Sequence, residues 1–421
     1  MIPGGERPIA QERHEAGAAP AAAGTAILVL LGVLSAFGPL SMDMYLPSLP
    51  TLAAYFSTST AKAQLTLSGF TVGFAVGQLV YGPLSDRLGR RWVLLSGVAL
   101  YVAASLACAV AADIETLIAV RFLQALGGGA GVVLTRAIVR DLYSREAGAR
   151  ALSLMLLVPS LAALVGPFIG GQILLWADWR AIFWLLTALG AVILVYGILR
   201  LPETLPAPLR HAASPARIAR EYGIILCDRQ ALGYMLCGAF SFAGMFAQLS
   251  GTPFVYIELF GVAPENFGFL FALNIIGIMI GSFVNSRLVT RFGIRRMLVF
   301  GTTMALAGGL SVALFASLGV GGLTAIVASI VIFMTPHNVV NANATAGALE
   351  KFPHIAGTAS ALIGAVRFAI GAAVGAAVGL LHDGTAVPMA LVIAACGLAS
   401  AAAFWLMTGD GKHAPPADRA M

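Results

Sequence analysis

Three ionisable residues stand alone inside long apolar stretches. Asp43 is the sole charge between positions 16 and 61, Arg121 lies in the run after Glu115, and Arg367 in the run before Asp383. A carboxyl group in a bilayer is costly and usually marks an ion or proton path. Asp43 is therefore either a site that loads and releases a proton or a permanent partner of an arginine. A guanidinium stays charged under nearly all conditions, so Arg121 can compete with a proton for such a carboxylate. Arg367 can face a cavity and meet acidic or polar molecules, or be tied to backbone carbonyls. Gln248, Asn274, Asn338 and Asn341 add uncharged polar points, with Asn343 and His337 nearby. Such groups serve either a ligand or helix–helix hydrogen bonds. Tyr45, Phe70, Phe240, Phe246 and Tyr256 are candidate apolar walls for a loosely specified ligand. An enzyme would need clustered ligands or a nucleophile beside a base, and the sequence has no such cluster. The four cysteines lack metal-ligand spacing, so no metal site is expected. A phosphate-binding G-x-x-x-x-G-K-[ST] loop is missing, which excludes ATP as energy source. No cofactor is expected.

These residues sit in a chain built for lipid. Charged residues make up 10% of the 421, and mean hydropathy is +0.90, whereas soluble domains carry roughly 25% charge. Runs such as 92–112, 230–257 and 297–349 hold no Asp, Glu, Lys or Arg. About 20 apolar residues cross the hydrocarbon layer, and only a self-satisfied backbone is tolerated there. The pattern predicts an all-α membrane protein of twelve spans. Of the 25 Lys and Arg residues, 21 fall on the side that holds the N-terminus once Lys62, Arg180, Arg121 and Arg367 are set aside. By the positive-inside rule both termini are cytoplasmic. The net charge of +6 is thus topogenic, and no nucleic-acid partner is expected.

A polar, proline-rich stretch at 202–228 divides a bundle at 24–201 from another at 229–407, with cytoplasmic tails at 1–23 and 408–421. The halves share an internal repeat. Gly77–Gly97 overlays Gly281–Gly301 without a gap at a shift of 204 residues, placing Arg87 on Arg291, Gly89 on Gly293 and Arg91 on Arg295. Paired halves around a central site are a recurrent transporter design.

The segment Gly82-PLSDRLGRR-Arg91 resembles the G-x-x-x-D-R-x-G-R-R loop of the major facilitator superfamily, matching at Gly82, Asp86, Arg87, Gly89, Arg90 and Arg91. Further stretches beginning at Met42, Arg121, Leu201, Thr252 and Phe352 are similar to the Bcr/CflA branch of bicyclomycin- and chloramphenicol-type drug exporters. The resemblance runs from about residue 35 to 390. It implies two pseudo-symmetric six-helix bundles with Asp43 and Arg121 sharing a central cavity. It also implies a cytoplasmic latch in which Asp86 meets the start of the eleventh span, with Arg140 as a second partner. The R-x-x-Q-G motif reads Arg121-FLQA here, with Ala125 for glycine. The antiporter-type motif of the fifth span keeps Gly166, Pro167, Gly170 and Gly171 but has Ala162 at its first position. That stretch is either an ordinary close-packed seam or a barrier to leak.

The function implied is proton-coupled antiport of small drug-like molecules across the bacterial inner membrane by a monomer, without ATP. A proton-coupled or facilitative transporter of an endogenous metabolite or peptide is the alternative on the same fold.

Overall fold

The computed structural model describes residues 21–210 and 214–408; the expected tails, apart from residues 21–23 and 408, lie outside them. Every long element is a helix: α1 Ala21–Asp43, α2 Leu49–Tyr55, α3 Thr60–Leu88, α4 Arg90–Ala109, α5 Ile114–Leu142, α6 Arg145–Ile173, α7 Arg180–Arg200, α8 Pro215–Cys227, α9 Arg229–Pro253, α10 Pro264–Leu318, α11 Gly322–Met334, α12 His337–Leu349, α13 Ala356–Leu380 and α14 Val387–Met407. Helix starts follow local chemistry. Asp113 accepts from the Thr116 N–H at the start of α5, and Asp228 accepts from the Ala231 N–H at the start of α9. Among the described residues, eleven helical stretches are long and apolar enough to cross a membrane.

That count of eleven becomes twelve at α10. Its 55 residues would extend about 83 Å at 1.5 Å each, more than twice a hydrocarbon layer. The helix breaks at Gly293, whose φ of 77° and ψ of 163° are non-helical. Gly89, its partner in the 204-residue repeat, has φ 98° and ψ 154° between α3 and α4. Two glycines paired by sequence alone thus make the same positive-φ turn, which a side chain would strain. The loop expected between the eighth and ninth spans is instead this kink.

The first span also departs from the expected continuous helix. It ends at Asp43, turns through Met44 and Tyr45, and resumes as a 3-10 turn at Leu46–Ser48 and then α2. Pro47 and Pro50 start the two short elements, where a missing N–H costs nothing.

α3, α4, α5 and α7 pack together, and α1 lies on α6; in the second half α9 packs on α13 and α14, and α10 on α11, α12 and α14. Two seams join the halves. Along α3–α13, Gln64 Nε2 donates to the Ser250 carbonyl of α9 at 2.9 Å, and Ser250 Oγ donates to the Gly375 carbonyl at 3.1 Å. On the other side α6 meets the first part of α10, where the Phe168 and Phe269 rings lie edge to face at 5.4 Å. Leu154, Leu157, Leu161, Val195, Leu199, Phe283 and Trp405 are exposed on the outside, as a lipid-facing belt requires.

Candidate functional site

Arg121 is fully buried. Its Nη1 donates to the Ser41 carbonyl at 3.0 Å and to Gln124 Oε1 at 2.7 Å. Its guanidinium carbon lies 4.3 Å from the Phe70 ring centre, 4.7 Å from that of Tyr45 and 5.6 Å from that of Phe183. Aromatic faces stabilise a desolvated cation. Tyr45 is fixed in turn by a 3.0 Å hydrogen bond between its hydroxyl and Thr66 Oγ1.

The expected Asp43–Arg121 pair is not formed. Asp43 is 6% exposed and has no ion-pair or hydrogen-bond partner among the described residues. Its Cβ faces Gly166 of α6, where an added methyl would sit 3.2 Å away. The reason is angular. Ser41, whose hydroxyl contacts the Tyr101 hydroxyl of α4 at 2.7 Å, faces the interior of the half, and two residues at 3.6 per turn carry the chain about 200° round. Matching depth along the membrane therefore did not bring the two charges together.

The antiporter-type motif supplies the floor beneath this break in α1. A side chain at Gly170 would collide with the Met44 carbonyl, so α1 and α6 approach there at backbone distance. Gly171 faces the other half instead: a methyl added there would sit only 2.6 Å from the Pro264 carbonyl, and Gly268 of α10 abuts the Phe168 backbone. Ala162 is buried, so the departure at that position keeps the seam close. The motif, with Pro167 inside the helix, thus packs α1 on one side and closes the halves on the other.

At the opposite, arginine-rich end lies a cavity of about 750 Å³ lined by α3, α5, α8 and the start of α13. The 82–91 motif forms one wall. Arg90 is nearly buried and donates to Asp86 at 2.6 Å, Asp141 at 3.1 Å and Ser85 Oγ at 2.6 Å. Its backbone N–H donates to Glu203 Oε1 at 2.9 Å, and Arg210 approaches Glu203 Oε2 at 3.5 Å. Arg91 donates to the Ile198 carbonyl of α7 at 2.8 Å, while Arg87 is exposed. Gly82 opens onto free space. Asp86 lines the cavity opposite Gly357 and Thr358 of α13 but bonds to Arg90, so the expected contact with the α13 terminus is absent. Arg140 lines the cavity too, and the partner on α5 is its neighbour Asp141. Asp141 and Glu203 were missed; one step of about 100° along α5 separates the exposed arginine from the acid that points inward, which the sequence spacing alone could have suggested.

None of the ten residues expected to line a substrate cavity lines this one. Tyr45 and Phe70 enclose Arg121. Phe246 packs on Phe242 with centroids 5.0 Å apart, and Tyr256 on Phe267 at 6.0 Å. Gln248 donates to Thr252 Oγ1 at 3.3 Å, and buried Asn341 bonds the His337 carbonyl at 2.9 Å. Asn274 is buried with neither amide atom partnered. Phe240 is half-buried, and exposed Asn338 donates to Ser282 Oγ at 2.9 Å. Arg367 is half-buried on α13 behind the cavity, donating to Thr345 Oγ1 at 3.0 Å with the Phe242 ring 5.8 Å from its guanidinium carbon. The aromatic side chains were drawn into helix packing, and the buried amides went with them at the cost of unpartnered atoms on Asn274, Gln248 and Asn341.

Comparison with known proteins agrees with this architecture. The chain is 39% identical over 390 residues to an uncharacterized MFS-type transporter of Bacillus subtilis, covering 91% of this chain and 96% of that protein. It is 37% identical over 381 residues to a bicyclomycin resistance protein homolog of Haemophilus influenzae, covering 90% and 96%. A D-xylose-proton symporter crystal structure superposes with a TM-score of 0.73 at 14% identity, covering 92% of this chain and 98% of that one. Residues 29–376 match the family described as Major Facilitator Superfamily. The chain is a multi-pass membrane transporter rather than an enzyme, and it belongs to the major facilitator superfamily.

Proposed function

We propose that this protein exports small drug-like molecules across the bacterial inner membrane in exchange for protons. Its arginine-rich end and both termini face the cytoplasm, and it works as a monomer. Kinship with the bicyclomycin resistance homologue supports the substrate class. The lopsided arginine distribution supports the orientation.

The observation that carries proton coupling is Asp43. As a carboxylate it would hold an uncompensated charge away from water, which costs several kcal/mol; as a neutral acid it would not. It lies at the break in α1, beside the glycines that bring α1 and α6 to backbone distance. Protonation therefore sits where a change of orientation would be felt. Arg121, held by Ser41, Gln124 and aromatic rings, keeps the neighbouring interior positive and is available to Asp43 once α1 turns. Uptake of one proton charge supplies about 2.3 kcal/mol per 100 mV.

The test is drug-stimulated proton movement in everted vesicles with chloramphenicol-like and bicyclomycin-like compounds. Asp43→Asn should abolish the coupled proton flux while the protein still inserts. Undiminished coupled efflux in that variant would sink the assignment.

A further inference from the structure

The arginine-rich end of the second half carries a smaller cavity, about 390 Å³, that shares no residue with the first. It is lined by Asp228, Arg229 and Gln230 where α9 begins, Lys351 just after α12, and Leu406 and Met407 where α14 ends. Two cations stand there against one acid, and the acid is already engaged. Asp228 Oδ1 accepts from the Ala231 N–H at 2.8 Å, and Lys351 Nζ donates to Oδ2 at 3.0 Å and to Oδ1 at 3.2 Å. Exposed Arg229 makes one bond among the described residues, from Nη2 to the Leu406 carbonyl at 2.9 Å. The rest of its guanidinium is open to a further acceptor. The cavity also has an apolar side. Leu391, Leu398 and Trp405 stand seven residues apart and form an exposed stripe down α14. Leu406, exposed beside Trp405, lines the cavity itself. Such a stripe faces hydrocarbon, and a Trp at its end marks the level where headgroups begin.

We infer that this cavity holds the headgroup of an anionic phospholipid of the inner leaflet, with its phosphate between Arg229 and Lys351 and an acyl chain along the α14 stripe. A guanidinium fork matches phosphate in geometry, and an ammonium adds a point charge. Basic pockets between helix ends on the cytoplasmic side suit such headgroups. A soluble phosphate would use the two cations and make no use of the apolar wall. A zwitterionic lipid brings its own cation beside the phosphate and meets the same positive field. One bound headgroup ties together the ends of α9, α12 and α14, so it braces the second half from the membrane side. The leaflet follows from the orientation proposed above; the binding chemistry does not depend on what is transported.

The experiment titrates the purified full-length protein in detergent with dioleoyl phosphatidylglycerol and dioleoyl phosphatidylcholine, which share their acyl chains. Native mass spectrometry reads the bound lipid, and melting temperature reads the stabilisation. The wild type should favour the glycerol lipid by about tenfold, less than two free cations would give because Lys351 also holds Asp228. It should also melt higher with that lipid than with the other. Arg229→Gln and Lys351→Gln should each bring the ratio toward one, and Arg229→Lys should keep most of it, which separates charge recognition from misfolding. Arg287→Gln removes an exposed arginine that does not line the cavity, and it should leave the ratio unchanged. Equal affinities in the wild type would overturn the site and leave the cavity to another occupant. A fall in Arg287→Gln as large as in the two cavity variants would also overturn it, reducing the preference to the general charge of that face. The ratio is measured without transport, so a failure of proton-coupled export leaves it readable.

Discussion

The two repeat loops share a backbone and differ in charge. Gly89 and Gly293 turn the chain with nearly the same angles, φ 98° and 77°. Around Gly89, Asp86, Arg90, Asp141 and Glu203 form a connected network. Within the matched stretch, the 204-residue shift puts Thr290 at the place of Asp86 and Ile294 at that of Arg90. The second loop has the shape, but its Thr290 and Ile294 cannot repeat the Asp86–Arg90 ion pair. Glycine therefore fixes the turn that reverses the helix direction, a requirement common to both halves. The Asp86–Arg90 pairing is an addition to one half, on the wall of the larger cavity.

The most damaging way to erase this difference is to give the first loop the residue found in the second. Arg90→Ile removes a nearly buried cation and its hydrogen bonds to Asp86 and Asp141; because the Asp86 side chain is 47% exposed, the cost is that of lost charge-assisted bonds, about 1.5–3 kcal/mol. Expression and thermal unfolding in detergent should fall sharply. An unchanged melting temperature would show that the network is ornamental. The converse loop is tested by glycine replacement. Gly293→Ala meets open space and suffers only backbone strain, about 1–3 kcal/mol. Gly89→Ala suffers the same strain and also drives a methyl into the Glu203 carboxylate, so it should lower the melting temperature further. Equal shifts for the two alanines would mean that Glu203 yields easily and the network is loosely held.

The parts legible in the sequence were those set by one-dimensional rules. Span number followed from charge-free length, and the equivalence of Gly89 and Gly293 from a gapless self-match. The chain resemblance identified the superfamily before any coordinates were compared. What failed was the direction in which side chains point. Asp43 and Arg121 agree in depth, yet depth along a helix says nothing about azimuth, and the break after Asp43 turns the carboxyl toward Gly166. Arg140 was favoured over Asp141 for the same reason. Arg136, which lines the larger cavity, was counted only as a topogenic charge, because a cation at a helix end looks alike whether it faces headgroups or a cavity. The aromatic residues proposed as cavity walls were buried by one another, a many-body packing outcome that spacing does not encode.

The mildest perturbation concerns how the two loops are tied to the linker. Arg210 of the linker reaches the first loop through Glu203, whereas on the second half Glu221 on α8 accepts a 2.7 Å hydrogen bond from Thr358 of α13. That bond, then the Arg217 guanidinium, holds the Glu221 carboxyl below its ordinary value of 4.5. A lowered native value means the carboxylate form stabilises the docked linker. The contribution is complete above pH 4.5 and is lost as pH falls through the lower native value. Amides across 215–227 should therefore be well protected from exchange, relative to the free-peptide rate at the same pH, at neutral pH and lose that protection only in strongly acidic buffer. Glu221→Gln should exchange faster at neutral pH and show no further acid step, while the Asp86–Arg90 side keeps its protection. If acid released the first loop before α8, the linker's grip would belong to the charged network after all, and the asymmetry between the loops would lie in the tie rather than in the residues around Gly89.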